Sequence, residues 1–284
     1  AVVHSPGLQS WVWKRVAKSI EEGSGWRIEI NDLALRFFPA RCAAEGVTVS
    51  NGGTKIAMAD RLEVRWKWRR LLSDPRRVER IVVGGLEVDA DGMASLETDA
   101  GASSSEFDVW QAFEIGELVL DGGRIAGSAL NVEGQIEGLS AAAVMTGGIA
   151  RVAVDAKRLV ILRDGRLLEF GPLVLRANAS ADGVEVEELT LEGEDASLDT
   201  HGRYSFEEGV GGRVDFSAVA DLASTTEWWD PNLATGLAPA GRIDVVGSVE
   251  VAPGGEIGVE LEHRGGPVRL AGYEFERLSA ALRG

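Results

Sequence analysis

Arg61-Leu62-Glu63-Val64-Arg65-Trp66-Lys67 alternates charged and apolar side chains without a break. Successive side chains of an extended strand point to opposite faces, so Leu62, Val64 and Trp66 share one face and the charges share the other. The same period runs upstream, where Ile28 and Ile30 alternate with Arg27 and Glu29. It returns downstream in Leu118 and Leu120, Val152 and Val154, Leu173 and Leu175, Val184 and Val186, Leu189 and Leu191, Val259 and Leu261, with Val88 in the same set. The expectation is a series of half-buried strands with one apolar face throughout.

Turn signals separate these runs: Asn51-Gly52-Gly53, Asp91-Gly92, Asp121-Gly122-Gly123, Asp164-Gly165, Asp182-Gly183, Gly211-Gly212 and Pro253-Gly254-Gly255. Such dipeptides suit tight connections between antiparallel neighbours. With strands of about 5 to 10 residues, the chain is read as mainly β, a long antiparallel meander of roughly 15 to 20 strands. Helices alternating with strands are not expected after residue 75, which argues against a parallel α/β enzyme fold. An apolar face of that length must close on itself, meet a second sheet, or curl into a trough that something apolar fills.

Residues 1 to 25 read differently. Apolar side chains at Leu8, Val12, Val16 and Ile20 have helical spacing, with Pro6 and Gly7 before them and Gly23 and Gly25 after. The prediction is an amphipathic helix with its lead-in over 1–25, followed by one β domain over 26–284 with a possible sub-boundary near 100–106. Trp11, Trp13, Lys14, Arg15 and Lys18 are the membrane-proximal candidates of that helix, set against the simpler reading of a helix packed on a sheet end.

Charge is unevenly spread. Residues 1–80 hold 15 Lys/Arg and 9 Asp/Glu, a balance of +6, whereas residues 81–284 carry −22 of the total −16. An acidic body repels phosphates, so nucleic acid is not an expected partner, while the basic amino-terminal region suits an anionic membrane surface. One cysteine, Cys42, excludes an internal disulfide and reads as a small buried apolar residue. No run of 18 apolar residues occurs, and the start at Ala1-Val2-Val3 without methionine reads as a processed form.

Motifs for chemistry are sparse. There is no GxxxxGK[ST], HExxH or GxSxG, and His4, His201 and His263 are scattered and read as surface residues. Glu87-Val88-Asp89-Ala90-Asp91-Gly92 begins like a calcium loop, but Thr98 stands where a bidentate Glu is needed, so Asp91-Gly92 reads as a hairpin turn. Asn178-Ala179-Ser180 is an incidental sequon on a strand. Trp228-Trp229-Asp230-Pro231 reads as packing of a connection or as a groove mouth, and Trp66 and Trp68 share a strand parity. No cofactor, metal or catalytic residue is expected, and the chain is read as a non-enzyme.

The order of parts in residues 4–90 resembles the amino-terminal part of the AsmA-like superfamily, the TamB-type envelope proteins. An amphipathic helix leads through a glycine-bearing turn into the strand WRIEINDLALRF; then come EGVTVSN, the aromatic-ended RLEVRWKW, the Leu-Leu turn RRLLSD and the strand RVERIVVGGLEV. Gly84 and Gly85 stand where a proline is common. A second stretch, DLASTTEWWDPNLATGLAPAGRIDVVGSVEV, resembles the family's leucine-spaced segment running into a glycine and a fresh strand. The resemblance implies a taco-like β-groove in the periplasm, attached to the inner membrane by an upstream anchor. It also implies carriage of phospholipid acyl chains towards the outer membrane and a possible outer-membrane assembly partner. The groove-lining candidates are then Ile28, Ile30, Leu62, Val64, Trp66, Val88, Leu118, Leu120, Val152, Val154, Leu173, Leu175, Val184, Val186, Val259 and Leu261. A scaffold for outer-membrane protein assembly without lipid carriage is the alternative, and it requires the same residues to be packed dry.

Overall fold

A computed structural model describes residues 26–37, 40–67, 77–92, 114–129, 132–205, 211–252, 256–276 and 279–283. The amphipathic helix of 1–25 with Trp11, Trp13, Lys14, Arg15 and Lys18 lies outside the described residues, as do His4, Trp68 and the 100–106 sub-boundary.

The fold is mainly β, as the period-two pattern requires. In chain order the strands are β1 (Trp26–Phe37), β2 (Ala40–Asn51), β3 (Thr54–Arg65), β4 (Arg77–Asp89), β5 (Glu114–Ala129), β6 (Val132–Glu137), β7 (Ser140–Thr146), β8 (Ile149–Ala156), β9 (Arg158–Arg163), β10 (Arg166–Ala179), β11 (Gly183–Gly193), β12 (Ala196–Ser205) and β13 (Gly212–Asp221). Two helices follow, α1 (Leu222–Trp229) and α2 (Pro231–Leu237), then β14 (Arg242–Val251), β15 (Ile257–His263), β16 (Val268–Leu270), β17 (Tyr273–Phe275) and β18 (Ser279–Arg283). The chain forms two compact units: the first runs to Ala129 and includes Gln135–Met145, and the second takes Leu130–Gly134 and Thr146–Gly284.

In the first unit β1, β2, β3 and β4 pair antiparallel in sequence order. Gly52 and Gly53, both at positive φ, make the two-residue turn between β2 and β3. The meander is then interrupted, because β5 lies parallel to β4. This corrects the reading of Asp91-Gly92 as a hairpin turn, since a parallel neighbour is reached only by a longer crossover. Asp89 instead accepts hydrogen bonds from the Asp91 and Gly92 N–H groups, each at 3.1 Å, and starts a helical turn. The Asp91 carboxylate accepts from the N–H and hydroxyl of Ser128 on β5.

Asp121-Gly122-Gly123 is likewise no turn but the middle of β5. Its role appears when the registers are laid side by side. Asn31 lies between the pairs Ile30–Val47 and Asp32–Glu45, opposite Gly46. Gly46 is opposite Asp60, Asp60 opposite Gly85, and Gly85 beside Gly122, so one transverse row crosses five strands. Gly46, Gly85 and Gly122 have φ of 58°, 62° and 72°, a region open to glycine at little steric cost. On every strand the apolar phase slips by one residue at this row: Ile28 and Ile30 before it, Leu33 and Leu35 after it on β1; Leu86 and Val88, then Val83 and Ile81 on β4. A slip of one residue normally flips side chains to the other face. Gly46, Gly85 and Gly122 are the left-handed members of the row, and Leu33, Ala44, Leu62 and Val83 from one side of it pack in one cluster with Ile28, Val47, Ala59 and Leu86 from the other.

The second unit is an antiparallel sheet. β8 and β9 both pair with β10, and β10 to β15 follow in order, with β18 on β15. Asp164-Gly165 and Asp182-Gly183 make the expected tight connections on either side of β10. A bulge at Glu187 and Glu188 does on β11 what the glycine row does in the first unit, keeping Val184 and Val186 on the face of Leu189 and Leu191.

The two helices lie together in one connection, between β13 and β14, and do not alternate with strands. Their signals are local: Asp221 caps α1 by accepting from the Ser224 N–H at 2.9 Å, and Asp230 accepts from the Asn232 N–H at 2.9 Å with Pro231 at the first helical position. Trp228 donates its indole N–H to the Arg166 carbonyl at 3.2 Å, so it packs the connection onto β10. The β16–β17 hairpin is tied to α2 through the Ala271 N–H and the Leu237 carbonyl, with Val268 fully buried.

Candidate functional site

Register decides which strand residues share a surface, because residues directly opposite in a ladder point the same way. In the first unit Ile28, Val49, Ala57 and Val88 form one row and Ile30, Val47, Ala59 and Leu86 the next. Beyond the glycine row Leu62 lies between Ala44 and Val83, with Leu120 beyond; Val64 lies between Cys42 and Ile81, with Leu118 beyond. Trp66 continues this face, its backbone N–H bonded to the Ala40 carbonyl at 3.0 Å. All eight first-unit candidates therefore occupy one face.

The second unit repeats the pattern. Val154, Leu175 and Leu189 are in one row, Val152, Ala177 and Val186 in the next, Ala179 and Val184 beyond, and Leu173 opposite Leu191. The face continues through Leu198, Phe216 and Val214 to Val249 opposite Val259 and Gly247 opposite Leu261. Gly247 is a position where the face needs a missing side chain: a Cβ there would meet the Glu260 carbonyl and the side chains of Phe216 and Leu261. The eight second-unit candidates again share one face.

These faces are not dry. Ala44, Val47 and Ala59 are buried, but Ile28, Ile30, Leu62, Val64, Val88 and Leu120 are only half-buried, and Leu118 is 41% exposed. In the second unit Val152, Val154, Leu173, Leu175, Val184, Val186, Val259 and Leu261 are all half-buried. A strand core sandwiched between layers would hide such side chains. Cys42, expected to be buried, is half-buried on the same face, and burial pushes its thiol up from the usual value.

The opposite faces carry the ion pairs, in the first unit with Val78, Val82 and Val119 among them. In the first unit Glu63, which lies on β3 between the apolar-face residues Leu62 and Val64, is fully buried beneath arginines. It accepts from Arg61 and Arg65 and pairs with Arg41 at 3.1 Å. Burial works to raise this carboxyl, but the hydrogen bonds from Arg65 and Arg61 and the charge of Arg41 outweigh it and hold it below the usual range. The alternation that located the strand also placed Glu63 on the outer face, so nothing in the pattern marked it as buried; the two flanking arginines, Arg61 and Arg65, were the available signal.

A cleft of 720 Å³ lies on the polar side of β12 to β15 and β18, where sequence reading placed no site. One transverse row of it runs His201, Asp215, Ser248, Glu260. These are the residue types of a hydrolase, but their order is wrong: Asp215 stands between Ser248 and His201, and its carboxylate is bridged by Arg213 at 2.9 Å, so His201 is two strands from the hydroxyl it would have to activate. No group of three or more metal-binding side chains occurs among the described residues. His263, expected at the surface, is 5% exposed, with its two ring nitrogens 2.9 and 2.8 Å from the Asp244 and Gly266 carbonyl oxygens, a structural clasp for the turn after β15. No described helix is long and apolar enough to cross a membrane. Compared with models of protein families and with curated proteins, the chain matches none.

Proposed function

We propose that the chain is a non-enzymatic lipid holder whose apolar sheet faces take phospholipid acyl chains. It works in the periplasm as part of a bridge between inner and outer membranes, as AsmA-like, TamB-type proteins do. The observation that carries this reading is that sixteen alternating residues, chosen from sequence, fall on one face in each unit, and that on both faces these side chains are half-open rather than packed dry. An uncovered apolar face of this kind gains about 0.8 kcal/mol for each methylene that it removes from water. Such binding needs no polar recognition and no catalytic group.

Native mass spectrometry with lipid extraction, on protein taken from a bacterial membrane-containing lysate, tests the proposal. Phospholipid is expected on the parent chain and is expected to be lost in Val64→Asp and Leu175→Asp, while Thr48→Lys and Thr190→Lys, on the opposite faces, retain it. A lipid-free parent chain, or equal loss in both sets, would move the assignment to a scaffold in outer-membrane protein assembly.

A further inference from the structure

Arginine occupies one row of the first unit's polar face from strand to strand. Arg36 on β1 lies opposite Arg41 on β2, Arg41 opposite Arg65 on β3, and Arg65 opposite Arg80 on β4, after which Arg80 meets Glu117 on β5. With strands about 4.8 Å apart, four cationic positions span about 14 Å. Like charges directly opposite destabilise a sheet, so the row stands against its own repulsion. Glu63 relieves part of it through Arg41 and Arg65. Glu117 pairs with the Arg80 Nε at 3.3 Å. Arg36 is exposed and has no ion pair among the described residues.

The local balance is basic. Residues 61–80 hold eight Lys/Arg and three Asp/Glu, in a chain that carries −16 overall. On this face the carboxylates of Glu63 and Glu117 reach the row directly, and the row four residues along the strands mixes Asp32, Glu45 and Asp121 with Arg61. Four arginines against the two carboxylates of Glu63 and Glu117 leave the row with a net positive charge. Guanidinium forks match phosphate oxygens and do so with less dehydration than ammonium groups. A flat strip of them along a sheet face suits a plane of phosphates.

We propose that this arginine row docks the first unit on an anionic membrane surface, its guanidiniums taking the phosphates of the lipid head groups. The inference does not rest on acyl-chain carriage, because the row lies on the face opposite Leu62 and Val64. Each basic residue near an anionic surface strengthens binding about five-fold, so removing two weakens it about 30-fold.

Vesicle co-sedimentation of the whole chain tests this. The parent is expected to pellet with vesicles containing phosphatidylglycerol and to stay in solution with phosphatidylcholine alone. The Arg36→Gln, Arg80→Gln double variant is expected to bind about 30-fold more weakly, and Arg36→Gln alone, which touches no ion pair, about five-fold. Arg242→Gln in the second unit leaves binding unchanged. Thermal unfolding of Arg36→Gln at or above the parent temperature shows that the loss is not misfolding. Equal binding to neutral vesicles, or unchanged binding in both Arg36 variants, overturns the proposal. So does full release of the bound chain by inorganic phosphate equal in concentration to the lipid phosphate, which would make the row a site for free phosphate.

Discussion

Glu63 carries more consequence than its place in an alternating strand suggests. Its carboxylate is enclosed while Arg41, Arg61 and Arg65 remain 28%, 52% and 44% exposed, so the anion lies beneath a lid of cations that can still meet water. Removing it leaves three close guanidiniums without a counter-charge; Glu63→Gln is expected to cost about 1 to 3 kcal/mol, read as a lower urea midpoint with unchanged slope. Its pH signature follows from the depressed carboxyl. A carboxyl held lower in the folded than in the unfolded state contributes fully above the unfolded value, near 4.3 for Glu, and loses that contribution as pH falls through the folded one. The parent chain should therefore lose stability more steeply than Glu63→Gln below about pH 4, and parallel acid titrations of the two would remove this role from Glu63.

At the scale of the strand, the glycine row lets an out-of-phase sequence keep one face. Gly85 and Gly122 both sit at positive φ, but their surroundings differ. A Cβ on Gly122 would meet nothing, whereas one on Gly85 would strike the Asp60 carboxylate that lies over it. Gly122→Ala is expected to cost about 1 to 2 kcal/mol for backbone strain alone, and Gly85→Ala more. Asp60→Ala should recover part of the Gly85→Ala loss and none of the Gly122→Ala loss, a coupling that a double-mutant cycle measures directly. The row also marks what sequence could and could not reveal. Period two located the strands and, within each run, the correct face. Asp121-Gly122-Gly123 and Asn51-Gly52-Gly53 look alike in sequence, yet one is mid-strand and the other a turn, because only pairing with β4 fixes Gly122 in register. Parallel β5 was illegible for the same reason: strand direction belongs to the partner, not to the local pattern. The helices after β13 have local signals, Asp221 ahead of Ser224 and Asp230-Pro231, that a period-two pattern does not carry.

Across the whole chain, two kinds of surface coexist and obey different physics. On the proposed reading the apolar faces would hold acyl chains by removing methylene groups from water, a term that salt leaves intact or strengthens. The arginine row binds through charge, and the screening length falls from about 8 Å at physiological salt to about 3 Å at 1 M. The acidic balance of residues 81–284 adds to the contrast, since the greater part of the chain is repelled by the surface that Arg36 and Arg80 approach. Raising salt should therefore separate the two functions in one sample. Vesicle association is expected to be lost by 1 M salt while extracted phospholipid stays at its low-salt amount; Leu175→Asp should show the converse, association without retained lipid. If salt released both together, a single electrostatic site would account for all lipid contact, and the half-open apolar faces would need another occupant.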